Sequence, residues 1–438
     1  MEVLPCGHVA HPGRSRLCRH LAVPEAPTEH LRMLTGEGIH YDLCCPACDR
    51  GGPVEYVVAC EGCVQRIEDE RYDCLGWRGQ PGIRERAEPL DTTVARTRLP
   101  IAALDAAPVA DRPGEWLLLT ADAVLRWTAR DGRTLARYRV TLPALPTEEP
   151  WNNRVPAYRL HAAPDGRFAA IVIDYGTRGL LLDLTTGLVA LRLDRDDYHS
   201  DTTPFPCAFV TGEHGSLLVH ATRWNRLDIY DLTTGRSRSH RSQPRYERNK
   251  PLPPHYLDYF HGALCPSPDG RWIADDGWAW HPVGIPVLWS MPAWLDNPYE
   301  SEDGPSRREL CLREYHWDTP MCWIDEHRLA VSGLGDDGGW MLPGVRLFEP
   351  ATGREVAAFA GPSGPLHCDG HRLYSSGEDG LEIWDPDSGE RTGRVPGFRP
   401  TRYHPDTGEL AALHESTFER WRPRLPGSAC GTGLAAVP

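Results

Sequence analysis

Cysteines are concentrated near the start of the chain, where their spacing predicts a metal site: eight of the 14 lie before residue 75. Cys45 and Cys48 form one C-x-x-C pair, and Cys60 and Cys63 form a second pair after eleven intervening residues. Two thiolates at this spacing point at one centre, and two such pairs complete the tetrahedral sulfur shell that zinc prefers. We therefore expect these four residues to hold one zinc ion.

A second group of potential ligands lies upstream, in two C-x-H pairs separated by nine residues. The simplest interpretation is a second zinc ion bound by Cys6, His8, Cys18 and His20. His11 is an alternative to His8, and Cys44 is an alternative to Cys45. The four pairs bind either in sequence order or interleaved in a cross-brace. A RING finger has such a cross-brace, but the 24 residues between His20 and Cys45 match that family poorly.

Both zinc ions are expected to be structural. A shell closed by protein ligands leaves no position for water, whereas a catalytic zinc keeps one position open. A disulfide framework is the other common use of so many cysteines, but it needs an oxidising compartment, and the sequence shows no secretory signal. We interpret residues 1–78 as a small zinc-binding domain, ribbon-like or treble-clef-like, whose folding depends on the metal.

The composition limits the partners and the setting of the protein. A formal net charge of −14 opposes binding to phosphate backbones, so nucleic acid is not the expected partner. The apolar runs are too short to span a bilayer, so we expect a cytoplasmic protein without membrane association. Apart from Lys250, every permanently basic side chain is arginine, a bias typical of GC-rich bacterial genomes.

From about residue 93 the sequence becomes a series of short apolar strands separated by turn residues. Asp-Gly turns occur in the units 163–187 and 267–289, and a third unit, 369–385, ends in Trp384-Asp385. Such turns close hairpins between alternating strands. One four-stranded sheet cannot bury both of its faces, so repeated units of this kind are expected to pack around an axis.

This pattern resembles the WD-repeat β-propeller family over residues 93–425. The resemblance implies a mainly β fold: a seven-bladed β-propeller that follows the small zinc-binding domain. Residues 79–92 are interpreted as a linker and residues 426–438 as a C-terminal tail. The last unit is one strand short, and we expect residues 93–99 to supply it and close the ring. The seven units are 100–142, 157–195, 204–242, 258–316, 318–361, 363–397 and 399–423.

A propeller fold does not by itself indicate a function, because it hosts many unrelated activities. Long connections between units, at 141–156, 194–203 and 243–257, carry aromatic residues and are expected to meet on one rim. We predict that this rim binds a protein partner through Trp151, Tyr198, Tyr246 and Tyr256. The chain would then be a non-enzymatic interaction scaffold, with the zinc-binding domain as a second contact surface.

Two other functions stay open. A hydrolase or lyase acting at the central face would need histidines and carboxylates that converge at the axis, but no catalytic motif is present and no catalytic residue or small-molecule ligand is assigned. Nucleic-acid contact through the zinc-binding domain would need a continuous arginine stripe. Acidic residues such as Asp275 and Asp276 are expected to serve hairpin tips, and residues 293–306 are expected to form a mobile solvated loop.

Overall fold

The structure is a computed structural model, and its fold is mainly β. Within the residues that it describes, the strands form one N-terminal sheet and seven further sheets. The described residues are 15–23, 29–34, 41–50, 54–59, 73–78, 83–147, 154–213, 215–239, 241, 246, 250–280, 282–334 and 341–423.

The N-terminal sheet contains five short strands and a short helix. Its elements are β1 (Ser15–Cys18), β2 (Glu29–Leu34), β3 (Tyr41–Cys44), α1 (Pro46–Arg50), β4 (Tyr56–Ala59) and β5 (Asp73–Arg78). The spatial order β4-β1-β3-β2-β5 places β1 between β4 and β3. β1 runs parallel to β3, with Leu17 opposite Leu43, and antiparallel to β4, with Ser15 opposite Ala59. Leu17, Leu31 and Leu43 are buried and form a small apolar core.

The other strands form seven antiparallel sheets, numbered here in chain order. Sheets 1 and 2 contain β7 (Asp105–Pro108), β8 (Glu115–Leu119), β9 (Ala123–Thr128) and β10 (Thr134–Arg139), then β11 (Ala157–Ala162), β12 (Phe168–Asp174), β13 (Arg178–Asp183) and β14 (Leu188–Asp194). Sheets 3 and 4 contain β15 (Cys207–Gly212), β16 (Gly215–Arg223), β17 (Arg226–Asp231) and β18 (Arg236–Ser237), then β19 (Phe260–Pro266), β20 (Trp272–Ala279), β21 (Val283–Ser290), β22 (Arg308–Glu309) and β23 (Arg313–Glu314).

The remaining three sheets repeat the same arrangement. Sheets 5 and 6 contain β24 (Met321–Asp325), β25 (Arg328–Leu334), β26 (Leu342–Glu349) and β27 (Arg354–Ala360), then β28 (Leu366–Cys368), β29 (Leu373–Gly377), β30 (Gly380–Asp385) and β31 (Glu390–Pro396). Sheet 7 contains β32 (Arg402–His404), β33 (Glu409–His414), β34 (Thr417–Trp421) and the early strand β6 (Ala95–Arg98).

The seven sheets pack against one another in a closed, propeller-like ring. The first strands of successive sheets are in contact from β7 to β28, and β32 contacts β7. Sheets 6 and 7 share a core that includes Tyr374 and Trp421. Sheets 7 and 1 share another, in which the rings of Trp116 and Trp127 lie 4.9 and 5.1 Å from the ring of Phe418. Each sheet thus buries the apolar faces that it could not bury alone.

The strand expected from residues 93–99 is confirmed as the element that completes sheet 7. β6 pairs antiparallel with β34, with Arg98 opposite Thr417 and Ala95 opposite Arg420. The Nε of Arg96 also lies 2.7 Å from the Glu419 carboxylate across the same ladder. The edge of β34 is therefore covered by a strand from the other end of the ring.

The insertion after β21 is not the mobile loop that its acidic composition predicted. It forms two short helices, α2 (Met291–Asp296) and α3 (Glu300–Asp303). Trp294 is buried, with its ring 5.6 Å from the ring of Trp289. Glu300 is buried too, and its carboxylate accepts hydrogen bonds from Ser306 N at 2.7 Å and Asn297 Nδ2 at 2.9 Å. The expectation was wrong because it counted charge and overlooked the apolar anchor Trp294.

Part of the segment between the N-terminal sheet and sheet 1 lies against sheet 6. Arg86 N donates to Arg391 O at 2.9 Å, Glu88 N donates to Thr392 O at 2.9 Å, and Arg391 N donates to Arg84 O at 2.8 Å. Residues 84–88 thus run along the outer edge of β31 and cover it.

Candidate metal centre and aromatic face

Four potential metal ligands converge beside the N-terminal sheet. The Sγ atoms of Cys18, Cys45 and Cys48 and a ring nitrogen of His20 all lie within 4.8 Å of one another. His20 Nδ1 is 3.1 Å from Cys48 Sγ and 3.7 Å from Cys45 Sγ. Zn–S bonds of about 2.3 Å in a tetrahedron separate the ligand atoms by about 3.8 Å. The cluster therefore has close to the size that a zinc ion requires.

The direction of the strands explains why these residues meet. β1 and β3 run parallel, so their C-terminal ends lie at the same edge of the sheet. Cys18 ends β1, and His20 lies in the turn that follows. Cys45 follows β3 directly, and its carbonyl accepts a hydrogen bond from Cys48 N at 3.0 Å as α1 begins. Cys45 N also donates to Cys18 Sγ at 3.3 Å, which joins the two chain segments.

This grouping differs from the pairing that was expected from spacing alone. The expectation joined Cys45 and Cys48 to Cys60 and Cys63, and it joined Cys18 and His20 to Cys6 and His8. The structure instead brings the second and third pairs together, because parallel strands align ends that are far apart in sequence. Cys44, the alternative to Cys45, is buried in the apolar core and is not in the cluster. Outside the described residues lie Cys6, His8, His11, Cys60 and Cys63.

The electrostatics of the cluster fit a bound cation. Burial, the thiol of Cys45 and the nearby Cys18 raise the pKa of Cys48 to about 12. Burial also opposes ionisation of Cys45, but hydrogen bonds from Cys48 and Ala47 lower its pKa overall. Three thiols this close cannot all ionise unless a cation lies among them, and zinc would supply that charge. Three sulfurs and one nitrogen make a closed shell, which suits a structural ion.

The arginines described in the N-terminal sheet do not form a stripe suited to nucleic acid. Arg16 binds the Asp42 carboxylate through Nε at 3.0 Å and through Nη2 at 2.6 Å. Arg19 pairs with Glu55 at 3.0 Å, and Arg32 is buried. Arg16 and Arg19 are thus neutralised by carboxylates and Arg32 is withdrawn from the surface, so these three residues do not form a continuous positive surface.

A cluster of aromatic rings joins sheets 3 and 4 on one side of the propeller-like ring. Phe260 and Trp278 stack at 4.2 Å, Trp278 and Trp317 stack at 5.0 Å, and Trp224 lies 4.4 Å from Phe260. Phe260, Trp278 and Trp317 are buried and form the base of the cluster. We define the aromatic face as Tyr198, His199, Trp224, Phe260, Trp278, Trp280 and Trp317.

The outer rings of the aromatic face are open to solvent. Tyr198 is 46% exposed and Trp280 is 44% exposed, although both contact the rings below them. His199 is exposed between them, 4.8 Å from Tyr198 and 5.0 Å from Trp280. Tyr315, 61% exposed, lies beside the Trp280 hairpin, because its N–H donates to Pro282 O at 2.9 Å. Large apolar rings held at the surface on a buried base are typical of an interaction site.

The connection that carries Tyr198 and His199 is held in one conformation by Arg195. This buried guanidinium donates to the carbonyl groups of Gly176, Ser200 and Thr203 at 2.9, 2.8 and 2.9 Å. Thr202, in the short 3₁₀ helix Ser200–Thr202, anchors the base: its hydroxyl accepts from Trp278 Nε1 at 3.2 Å and its carbonyl accepts from Trp317 Nε1 at 2.9 Å. The exposed rings are therefore ordered before any partner binds.

Backbone strain is also concentrated on this side of the ring. Tyr175, His199, Tyr315 and Asp318 have φ angles of 59°, 51°, 60° and 58°, in the left-handed region that side chains of this size rarely adopt. Tyr175 Oη donates to Asp318 Oδ2 at 2.5 Å, which fixes two of them together. Strain of this kind persists where the surrounding contacts enforce it and is frequent at functional sites.

The residues predicted to bind a partner have three different outcomes. Tyr198 belongs to the aromatic face. The rings of Tyr246 and Tyr256 lie 5.8 Å apart, and Tyr256 is close enough to Tyr198 for the two to interact electrostatically. Trp151 lies outside the described residues. Trp280 was missed, although Trp278-Ala279-Trp280 before a hairpin tip was the signal that could have found it.

Three described carboxylates of the predicted acidic set, Asp174, Asp275 and Asp276, are paired with basic side chains. Asp174 binds Arg159 at 2.6 Å, and Asp276 binds Arg313 at 2.7 Å. His261 and Asp275 meet at 2.6 Å, but their side chains are 2% and 0% exposed, so a substrate cannot reach them. Asp275 and Asp276 lie inside β20 and not at a hairpin tip, which corrects the expected turn role. These pairs join strands and sheets, and they do not favour the enzyme hypothesis.

The comparisons with known proteins leave the family open. No protein-family model matches the chain, and no curated protein matches it. Among solved structures, a chain of Kuenenia stuttgartiensis hydrazine synthase matches with a TM-score of 0.49 and 15% identity, over 75% of this chain and 97% of that one. A chain of a mitotic checkpoint complex matches with a TM-score of 0.48 and 14% identity, over 79% and 96%. Within the described residues, no helix is both long and apolar enough to cross a bilayer.

Proposed function

We propose that this chain is a non-enzymatic protein-interaction platform whose aromatic face docks a protein partner. The observation that carries the proposal is the pair of exposed rings, Tyr198 and Trp280, held on a buried aromatic base by the hydrogen bonds of Arg195 and Thr202. Rings that are already ordered lose little conformational entropy on binding, which favours them as anchors.

The proposal includes a finer description of the scaffold. The ring is a seven-bladed β-propeller of the WD-repeat type, and each of its seven sheets is one blade. The zinc ion at Cys18, His20, Cys45 and Cys48 stabilises the N-terminal domain, which offers the second contact surface. A cytoplasmic setting belongs to the same proposal, since the thiolates must stay reduced to hold the metal.

A second structural zinc is also proposed, with Cys6, His8, Cys60 and Cys63 as ligand candidates. Sequence supports it, because these residues form the two remaining ligand pairs.

Partner capture from a lysate of the native organism tests the docking proposal. The full chain is compared with the double variant Tyr198→Ala/Trp280→Ala. The control is Leu188→Ala/Val189→Ala, which removes exposed apolar side chains at the opposite end of the strand that leads to Tyr198. We expect the face variant to lose its specific partner and the control to retain it. Equal capture by the full chain and the face variant would refute docking at this face.

A further inference from the structure

Exposed acidic residues lie in the chain segments that carry the aromatic face. Asp197 precedes Tyr198, Asp201 lies in the 3₁₀ helix below it, Asp258 lies two residues before Phe260, and Glu314 precedes Tyr315. All four are exposed. Arg223 is an exposed basic neighbour, but the carboxylates outnumber it. We call these four carboxylates the acidic edge of the aromatic face.

A fifth carboxylate ties this acidic edge to the rings. Asp196 Oδ1 accepts a hydrogen bond from the backbone N–H of Trp224 at 2.9 Å. This bond joins the loop that carries Asp197 and Tyr198 to the turn that carries Trp224, whose ring lies 5.2 Å from the ring of Tyr198.

The same region already pairs arginine with an aromatic ring. The guanidinium of Arg154 lies 5.0 Å from the ring centroid of Trp317, and its Nε is 3.8 Å from the Asp318 carboxylate. One arginine therefore contacts a tryptophan face and a carboxylate together at the inner side of the cluster. Trp280 and Tyr198 present aromatic rings of the same kind toward solvent.

We propose that the aromatic face recognises an arginine-bearing segment of the partner protein, an inference that rests on the function proposed above. A guanidinium stacks on the face of a tryptophan or tyrosine ring while its N–H groups bind carboxylates, so it satisfies both features of the site. Arginine fits better than lysine because it is planar and more weakly hydrated. Phosphate-bearing ligands do not fit, since the acidic edge repels them.

A defined peptide tests this directly on the full-length protein. The probe is a fluorescein-labelled glycine–arginine repeat peptide, acetylated and amidated at its ends. Its control is the same peptide with citrulline, which keeps the shape of arginine but has no charge. Fluorescence anisotropy should show at least about tenfold weaker binding of the citrulline peptide. Trp280→Ala should weaken the arginine peptide by a similar factor, and Leu188→Ala should leave it unchanged.

The double variant Asp197→Asn/Asp201→Asn separates charge from stacking, because both positions are exposed and the substitution preserves shape. It should weaken the arginine peptide and leave the citrulline peptide unchanged. Equal affinity of the two peptides for the native chain, no binding of either, or full binding by Trp280→Ala would overturn the inference. If partner capture is still lost in Tyr198→Ala/Trp280→Ala while the two peptides bind equally, the docking function stands and only the arginine preference falls.

Discussion

Asp105 and Arg402 lie 297 positions apart in the chain, yet Arg402 Nη2 is 2.5 Å from Asp105 Oδ1 where sheets 7 and 1 meet. Arg402 Nε also donates to Ala106 O at 2.8 Å. The second oxygen of Asp105 accepts Leu160 N, in sheet 2, at 2.8 Å. One mostly buried carboxylate therefore joins three consecutive sheets across the point where the ring closes.

Removing the guanidinium of Arg402 should weaken the contact between sheets 7 and 1 that closes the ring. Arg402→Met leaves the mostly buried carboxylate of Asp105 without its charged partner. This should lower the free energy of unfolding by about 2–4 kcal/mol. Urea denaturation measures the change. The matched control is Arg137→Met, whose ion pair with Asp122 is 45% and 59% exposed and should contribute far less to stability. Equal losses in the two variants would show that Arg402 does not close the ring.

Acid should destabilise the protein through two shielded histidines. Burial, with Arg402 nearby, lowers the pKa of His367 to about 3, and burial with Arg159 and Arg402 lowers that of His161 to about 3. Below about pH 6.5 the unfolded chain binds protons that the folded chain cannot. The free energy of unfolding should therefore fall with decreasing pH, by up to about 1.4 kcal/mol per unit for each histidine.

His367→Gln should make this pH dependence shallower, as measured by urea denaturation at about pH 7.5 and about pH 5. The control is His371→Gln, at an exposed turn of the same sheet. His371→Gln should keep the full pH dependence of the free energy of unfolding. If His367→Gln keeps it too, His367 is not a source of that dependence.

The pairing of metal ligands can be tested by counting zinc. Because Cys18 and Cys45 meet in one cluster, Cys18→Ser and Cys45→Ser should each release the same ion. The double variant should then lose no more zinc than either single variant, as measured by mass spectrometry of the purified protein. Twice the loss in the double variant would show that Cys18 and Cys45 bind different ions, as in the sequence-order or cross-brace pairing. Chelation should also unfold the N-terminal sheet, since its apolar core is small.

Local patterns in the sequence were sufficient to predict the repeating sheets. Asp-Gly turns and alternating apolar residues mark units such as 163–187, which forms the hairpin of β12 and β13. The shortage of one strand in the last unit was enough to predict that residues 93–99 complete it, and β6 does so. These inferences succeed because hairpins form between neighbours in sequence.

Contacts between residues that are far apart in the chain could not be predicted from the sequence. The metal cluster depends on the parallel pairing of Leu17 with Leu43, which no spacing rule encodes. The aromatic face depends on the approach of Tyr198, Trp224 and Trp280 from three different loops. The helices after β21 were missed because the burial of Glu300 depends on hydrogen bonds that form only in the folded insertion.

Site-specific photo-crosslinking tests the docking claim most directly. Benzoylphenylalanine is introduced in place of Trp280, and separately in place of Leu188, which is 68% exposed at the far end of β14. Irradiation in living cells followed by mass spectrometry identifies the protein that each position contacts. We predict one specific protein adduct from position 280 and none from position 188. No protein adduct at position 280, or the same adducts from both positions, would contradict the claim that the aromatic face is the docking site.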